Sequence, residues 1–293
     1  MGGRKGVYIE AVMSIERYFL GCPIWGNKEW VGELFAPDVV QRDFLRQYAS
    51  VFNTVEGNTT FYGLPSEKAA MRWLADTPPG FRFALKFPRA ISHDKRLRDA
   101  ELETAAFVDV LTVLRDRVGP SFLQLPPSYG PRDLPVLDRF LDALPDTFSY
   151  AVEIRHHLFF AEAENELNAV LKSQGVDRVV FDTRGVHSAQ VASNKPKVPV
   201  RFLATGRFPF VRFVGHPEVD KNLPLLAEWV PVVANWIREG RTPFVFMHAP
   251  DDFYAPQLAR HFHQMLSGDI DVGEMPPWPA EQVVEAPVQM DLF

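Results

Sequence analysis

Short β-branched and aromatic runs alternate with helix-length segments along almost the whole chain, and this alternation constrains the fold more than any other feature. The runs predict eight strands, at Tyr18–Cys22, Val51–Glu56, Arg82–Phe87, Phe122–Leu125, Ser149–Ile154, Arg178–Asp182, Phe210–Val214 and Pro243–His248. Helical patterns lie between them at Val39–Tyr48, Glu67–Ala75, Glu101–Arg115, Leu134–Leu144, Glu162–Gln174, Leu223–Arg238 and Pro256–Leu266. The segment from Glu101 is the clearest, with Phe107, Val110, Leu111, Leu114 and Val118 recurring on one helical face. Pro231 is expected to kink or restart the segment from Leu223, because proline lacks a backbone donor. Strict alternation of β and α implies a parallel sheet. Eight repeats predict an α/β fold, a single TIM (β/α)8 barrel with eight parallel strands. An open doubly wound sheet is the rival, but no G-x-G-x-x-G follows the first strand and no Gly-Lys-Ser phosphate loop occurs.

A chain of 293 residues accommodates one such barrel, which typically takes about 250 residues. The expected organisation is a short N-terminal extension over 1–17, the barrel over 18–268, and a mobile Pro-rich C-terminal tail over 269–293. A hydrophobic content of 46% excludes a disordered chain. The net charge of −6 argues against a general polyanion-coating protein, though not against a local basic site. Cys22 is the single cysteine, so disulfide frameworks and thiolate zinc clusters are excluded and a cytoplasmic location is expected. The sequence has no stretch long and apolar enough for a membrane span, and no membrane partner is expected.

In a parallel barrel all strand C-termini face one end, where active sites lie. That end collects Cys22, Trp25, Glu56, Asn58, Lys86, Arg89, Gln124, Glu153, Arg155, His156, Asp182, Arg184, Arg212, His216, His248, Asp251 and Asp252. Charges ending apolar strands are costly to bury unless they are paired or used. One reading is a structural salt-bridge network, the other a polar pocket holding carboxylates and cations. Glu153, Glu56 and Asp182 are the candidate catalytic acid–base groups. Lys86, Arg155 and Arg212 are candidate anion clamps, since guanidinium forks suit phosphate or carboxylate. Glu153 and Arg155 stand two apart on one strand and therefore face the same side. A divalent metal, Zn or Mn on Glu153, Asp182, His156 and His248, is an alternative that is not favoured, because the ligand spacing is unspecific. Gln124 and Arg212 stand where the large glycosidase group carries its carboxylates, which demotes that chemistry. Trp25, Trp30, Phe61, Tyr62, Phe159 and Phe160 could stack bases or sugars beside the cations, or simply pack loops. Lone Cys22 reads as a packed hydrophobe more readily than as a nucleophile.

The phrases YFLGCPIWGNKEWVGELFAP, FNTVEGNTTFYGLP, FRFALKFPRAISH, LQLPPSY, AVEIRH and FVRFVGH occur in this order. Together they resemble the YecE-like family, the domain of unknown function seventy-two, from Tyr18 to about Leu266. The resemblance implies a TIM barrel and supports Glu56, Asn58, Tyr62, Lys86, His93, Gln124, Glu153, Arg155 and Asp182 as site residues. It brings no settled activity. Barrels of this kind are similar in outline to metal-using isomerase and endonuclease groups, but this sequence lacks their full set of ligand histidines. The family more often has Asn where His248 stands.

The expected function is an enzyme, hydrolase- or phosphodiesterase-like, acting on a phosphate-bearing substrate, nucleic acid or nucleotide. Asn58, Tyr62, Lys86, His93, Gln124, Arg155, Arg212 and Trp25 would bind that substrate. A small-molecule isomerase or hydrolase for a sugar or sugar phosphate is the alternative, and a non-catalytic binding module the second. The C-terminal pentapeptide Gln289-Met290-Asp291-Leu292-Phe293 resembles the bacterial sliding-clamp-binding peptide. The resemblance implies recruitment to the replication clamp, with Leu292 and Phe293 docked in an apolar cleft.

Overall fold

The computed structural model describes residues 18–189 and 195–282. The expected extension over 1–17 and the clamp-like peptide Gln289–Phe293 lie outside the described residues. Eight strands form where the apolar runs predict them: β1 (Phe19–Gly21), β2 (Thr54–Gly57), β3 (Arg82–Leu85), β4 (Ser121–Gln124), β5 (Tyr150–Glu153), β6 (Asp177–Asp182), β7 (Phe210–Val214) and β8 (Phe244–His248). The helices are α1 (Phe44–Tyr48), α2 (Glu67–Asp76), α3 (Glu101–Leu114), α4 (Leu134–Asp142), α5 (Glu164–Ser173), α6 (Arg184–Ser188), α7 (Leu223–Arg238) and α8 (Ala255–Ser267). Pro231 neither ends nor restarts α7. Burial of Trp229, Val230, Val233 and Ala234 around it offsets the missing hydrogen bond, a loss of about 3 kcal/mol in an unsupported helix.

The strands do not form the expected closed eight-stranded barrel. Six of them make a curled parallel half-barrel sheet in the order β1-β8-β7-β6-β5-β4, and β2 and β3 pair separately. Local chemistry interrupts the ladder at both seams. Between β1 and β2, side chains intercept the backbone groups. The Tyr48 hydroxyl lies 2.7 Å from Cys22 N, which donates to it, and itself donates to Thr54 O at 2.9 Å. Asn53 accepts from Leu20 N at 2.8 Å and donates to Tyr18 O at 3.0 Å. Between β3 and β4 only the bridges Phe83–Val118 and Lys86–Phe122 form. Pro120, which has no N–H, stands between them.

Side-chain alternation sorts each strand into two faces. Ala84, Phe122, Ala151, Val179, Phe210, Phe244 and Phe246 meet in one small apolar cluster within the curl. The opposite faces join the helices in the main core, which holds Leu111, Leu167, Trp229 and Phe262. The expected mobile tail is anchored in its first half. Trp278 is buried beneath the Arg260 guanidinium, whose Cζ stands 3.5 Å from the ring centroid, and Arg260 forms two bonds to Glu281 at 2.6 and 3.0 Å. Ala280 N donates to Leu34 O at 3.3 Å, tying this segment back to the first loop. Trp278→Ala should therefore cost about 3–5 kcal/mol in chemical denaturation, the range for a buried aromatic. An unchanged midpoint would show that the segment contributes nothing to the core.

Candidate functional site

One layer above the apolar cluster, the inward positions become polar. Register explains which residues share it: Phe181 stands beside Arg212 and Arg212 beside Phe246, while Gln124 stands beside Glu153. Neighbours in register on parallel strands face the same side.

Arg212 is the centre. Its Nε and Nη2 donate to Glu56 Oε2 and Oε1 at 2.7 and 2.6 Å, and its Nη1 donates to Glu153 Oε2. Both carboxylates are fully buried. Glu56 also accepts from Asn58 Nδ2 at 2.6 Å and from His248 Nε2 at 3.1 Å. Glu153 takes Arg155 Nε on its other oxygen at 2.7 Å. Arg155 Nη2 and Lys86 Nζ then converge on a single neutral acceptor, Gln124 Oε1, at 2.9 and 2.8 Å. Aromatic faces wall this layer. Arg212 Cζ lies 5.1 Å from the Phe122 and Phe181 ring centroids, and Lys86 Nζ lies 4.1 Å from Phe61.

Burial alone would raise both glutamates, but the guanidiniums outweigh it. Arg212 and then His248 hold Glu56 well below the ordinary carboxylate range. Arg212, Arg155 and Lys86 bring Glu153 down to about 2. Burial, followed by the nearby Arg212 charge, pulls the Lys86 amine down to about 8. Both glutamates are thus ionised near neutrality. Three cations, Lys86, Arg155 and Arg212, face these two carboxylates.

The layer unites Glu56, Asn58, Lys86, Gln124, Glu153, Arg155, Arg212 and His248 from the sequence candidates. His93 sits at its edge, its ring 5.1 Å from Phe61, with burial and then Lys86 pulling its pKa down. Asp182 is elsewhere. It lies on the opposite face of β6, in register with Phe213, and accepts from Trp229 Nε1 at 2.9 Å and from Arg184 Nη2 at 2.9 Å. Its bonds tie β6 to α7. Trp25 packs edge-on against Trp73 at 5.2 Å, and Tyr62 is 84% exposed against the edge of Phe61. His156 stacks on His157 at 4.7 Å. The four metal candidates therefore do not converge, and among the described residues no three His, Cys, Asp or Glu form a metal-binding group. Cys22 is buried, and its thiol is pushed up by burial and then by Asp252.

Sequence reading missed Phe181 as a wall of the site, although its parity with Val179 marks it as inward. Lys195 was missed too. Its amine is lowered by burial and by Arg212, which places it within electrostatic reach of the layer, and no periodic pattern could have marked it.

Residues 19–282 match the family described as protein of unknown function DUF72. The chain belongs to this family. A relative, the UPF0759 protein YecE of Escherichia coli strain K12, is 38% identical over 274 residues, covering 90% of this chain and 98% of that protein. The O157:H7 counterpart is equally similar, at 38% over the same length. Two DUF72 crystal structures share the fold. That from Thermotoga maritima gives a TM-score of 0.68 at 23% identity, covering 85% of this chain and 99% of its own. That from Enterococcus faecalis V583 gives 0.70 at 17% identity, covering 89% and 98%. Among the described residues, no helix is long and apolar enough to cross a membrane.

Arg212→Met should destabilise this DUF72 chain by about 3–5 kcal/mol, because two buried carboxylates lose their counterion. The wild-type layer should also confer acid sensitivity. Glu153 has its folded pKa depressed to about 2 from 4.5, so its contribution is full above the ordinary carboxylate range and lost as pH falls from there towards 2. Denaturation midpoints measured across that window should fall in the wild type and less steeply in Glu153→Gln, where Glu56 still contributes. Parallel curves would remove the carboxylate from the account.

Proposed function

We propose that the polar layer binds a phosphate-bearing small molecule, a sugar phosphate or nucleotide, and that the chain acts on it as an enzyme. The convergence of Lys86 and Arg155 on the neutral Gln124 oxygen carries this reading. With Arg212 committed to both carboxylates, the second and third cations leave an excess of positive charge at the mouth. Guanidinium and ammonium donors at such a site suit the tetrahedral oxygens of phosphate. Glu56 and Glu153 are positioning residues here. Held ionised, they have no proton to donate near neutrality, whereas the Lys86 amine can exchange one close to physiological pH. A small ligand is favoured over polymeric nucleic acid because Lys86, Gln124 and Arg212 are all buried, with Lys86 only 8% exposed. A polymer backbone would need an extended basic track.

Calorimetric titration with inorganic phosphate and ribose 5-phosphate should show binding that weakens about ten-fold or more in Arg155→Ala and Lys86→Met, the loss of one charge-assisted hydrogen bond. Binding of a single-stranded oligonucleotide without any response to the phosphates, or phosphate binding unaffected by both substitutions, would contradict the reading.

The C-terminal sequence supports a second proposal, recruitment to a bacterial sliding clamp through Gln289–Phe293. Electrostatics gives a chain of net charge −6 no general means of concentrating on DNA, and a tethering peptide would supply one. The last described anchors, Trp278 and Glu281, precede the peptide closely in sequence. The full chain should bind an isolated clamp with a Kd of roughly micromolar magnitude, typical of short docking peptides. Leu292→Ala with Phe293→Ala should abolish binding and leave the melting temperature unchanged. A lowered melting temperature would instead assign the pair to the folded core.

A further inference from the structure

We propose that Lys86 is a nucleophile that forms an imine with an aldehyde or ketone carrying an anionic group. The geometry separates this lysine from the other cations of the layer. Arg212 and Arg155 each donate to a carboxylate, but the hydrogen-bond partner of Lys86 Nζ is the neutral Gln124 amide. Among the described residues, no salt bridge ties the ammonium in its charged form. The phenyl face of Phe61 covers Nζ at 4.1 Å and that of Phe122 lies at 5.9 Å, so little water reaches it. The charged groups facing it are Arg212 from β7, Glu153 from β5, Arg155 just beyond β5, and Glu56 from β2, with His93 beyond Phe61. Desolvation and two adjacent guanidiniums are the conditions that activate an amine for carbonyl chemistry.

The backbone beneath the amine is fixed. Lys86 N donates to Gly57 O at 3.1 Å, and the Thr60 hydroxyl donates to Lys86 O at 2.6 Å. Nζ is therefore presented from a braced position between the two sheet pieces, as catalytic geometry requires. In the step itself, the lone pair of the neutral amine attacks the carbonyl carbon and forms the C–N bond. The carbonyl electron pair moves to oxygen, which takes up a proton to give a carbinolamine. Nitrogen then expels that oxygen as water and the C=N bond forms. The balance is one amine and one carbonyl to one imine and one water, with no redox change. Such an imine draws electrons from the adjacent carbon, which suits proton transfer or C–C bond cleavage there. The proposal rests on the reading of the previous section only for the anionic group, which Arg155 would hold.

The test is reductive trapping on the full chain at neutral pH. Glycolaldehyde phosphate and unphosphorylated glycolaldehyde serve as probes, with cyanoborohydride supplying the hydride that fixes the imine. Peptide mass mapping should show Lys86 modified at least about ten-fold faster than exposed Lys68 and Lys172, as a desolvated amine of lowered basicity requires. Gln124→Glu, which places a carboxylate beside Nζ while conserving side-chain shape, should suppress that modification. Lys86 labelled no faster than Lys68, or undiminished in Gln124→Glu, overturns the proposal. Selective labelling of Lys86 at equal rates by both probes upholds the imine and contradicts the phosphate anchor.

Discussion

The structure of the site depends on one guanidinium shared between two buried carboxylates. Arg212 reaches Glu56 on β2 with two nitrogens and Glu153 on β5 with the third. These strands belong to different sheet pieces, so the interaction spans the interior where the hydrogen-bonded ladder does not. A buried ion pair of this kind is weak evidence for added stability, since desolvation offsets most of the Coulombic gain. Its value is positional. With Arg212 spent on both carboxylates, Glu153 fixes Arg155, Arg155 shares Gln124 with Lys86, and among the described residues no carboxylate makes an ion pair with the amine.

The same dependence accounts for how charge is distributed in the layer. A layer of fully satisfied charges would only brace the two sheet pieces. Here the carboxylates are outnumbered, and the surplus falls on the residue whose partner is an amide rather than a carboxylate. Phe61, Phe122 and Phe181 cover the cations of the layer, and burial there strengthens each interaction and raises the cost of leaving any charge alone.

Much of this was legible in the sequence, and the remainder fails for identifiable reasons. Strand positions follow from apolar runs, because burial on both faces leaves the same signal wherever the sheet runs. Closure does not follow. It turns on whether particular N–H and C=O groups find each other, and Pro120, Tyr48 and Asn53 divert them locally. The pairing of Glu153 with Arg155 was readable from the two-residue spacing. The separation of Asp182 from the layer follows from the same rule, since it follows inward-facing Phe181 by one position and faces α7. Anchoring of the segment around Trp278 was not readable. It depends on Arg260 of α8 and the Leu34 carbonyl, contacts between residues far apart in sequence with no shared periodicity.

Carbon-detected nuclear magnetic resonance of the glutamate carboxyls, followed from neutral pH into acid in the wild type and in Arg212→Lys, tests this dependence most directly. A lysine keeps the positive charge but cannot fork to both carboxylates. The account predicts that wild-type Glu153 stays ionised through the ordinary carboxylate range and protonates only at about 2, and that the lysine variant returns at least one of the two glutamates to higher pH. Wild-type titration of Glu153 in the ordinary range, or identical curves in the two proteins, would contradict it.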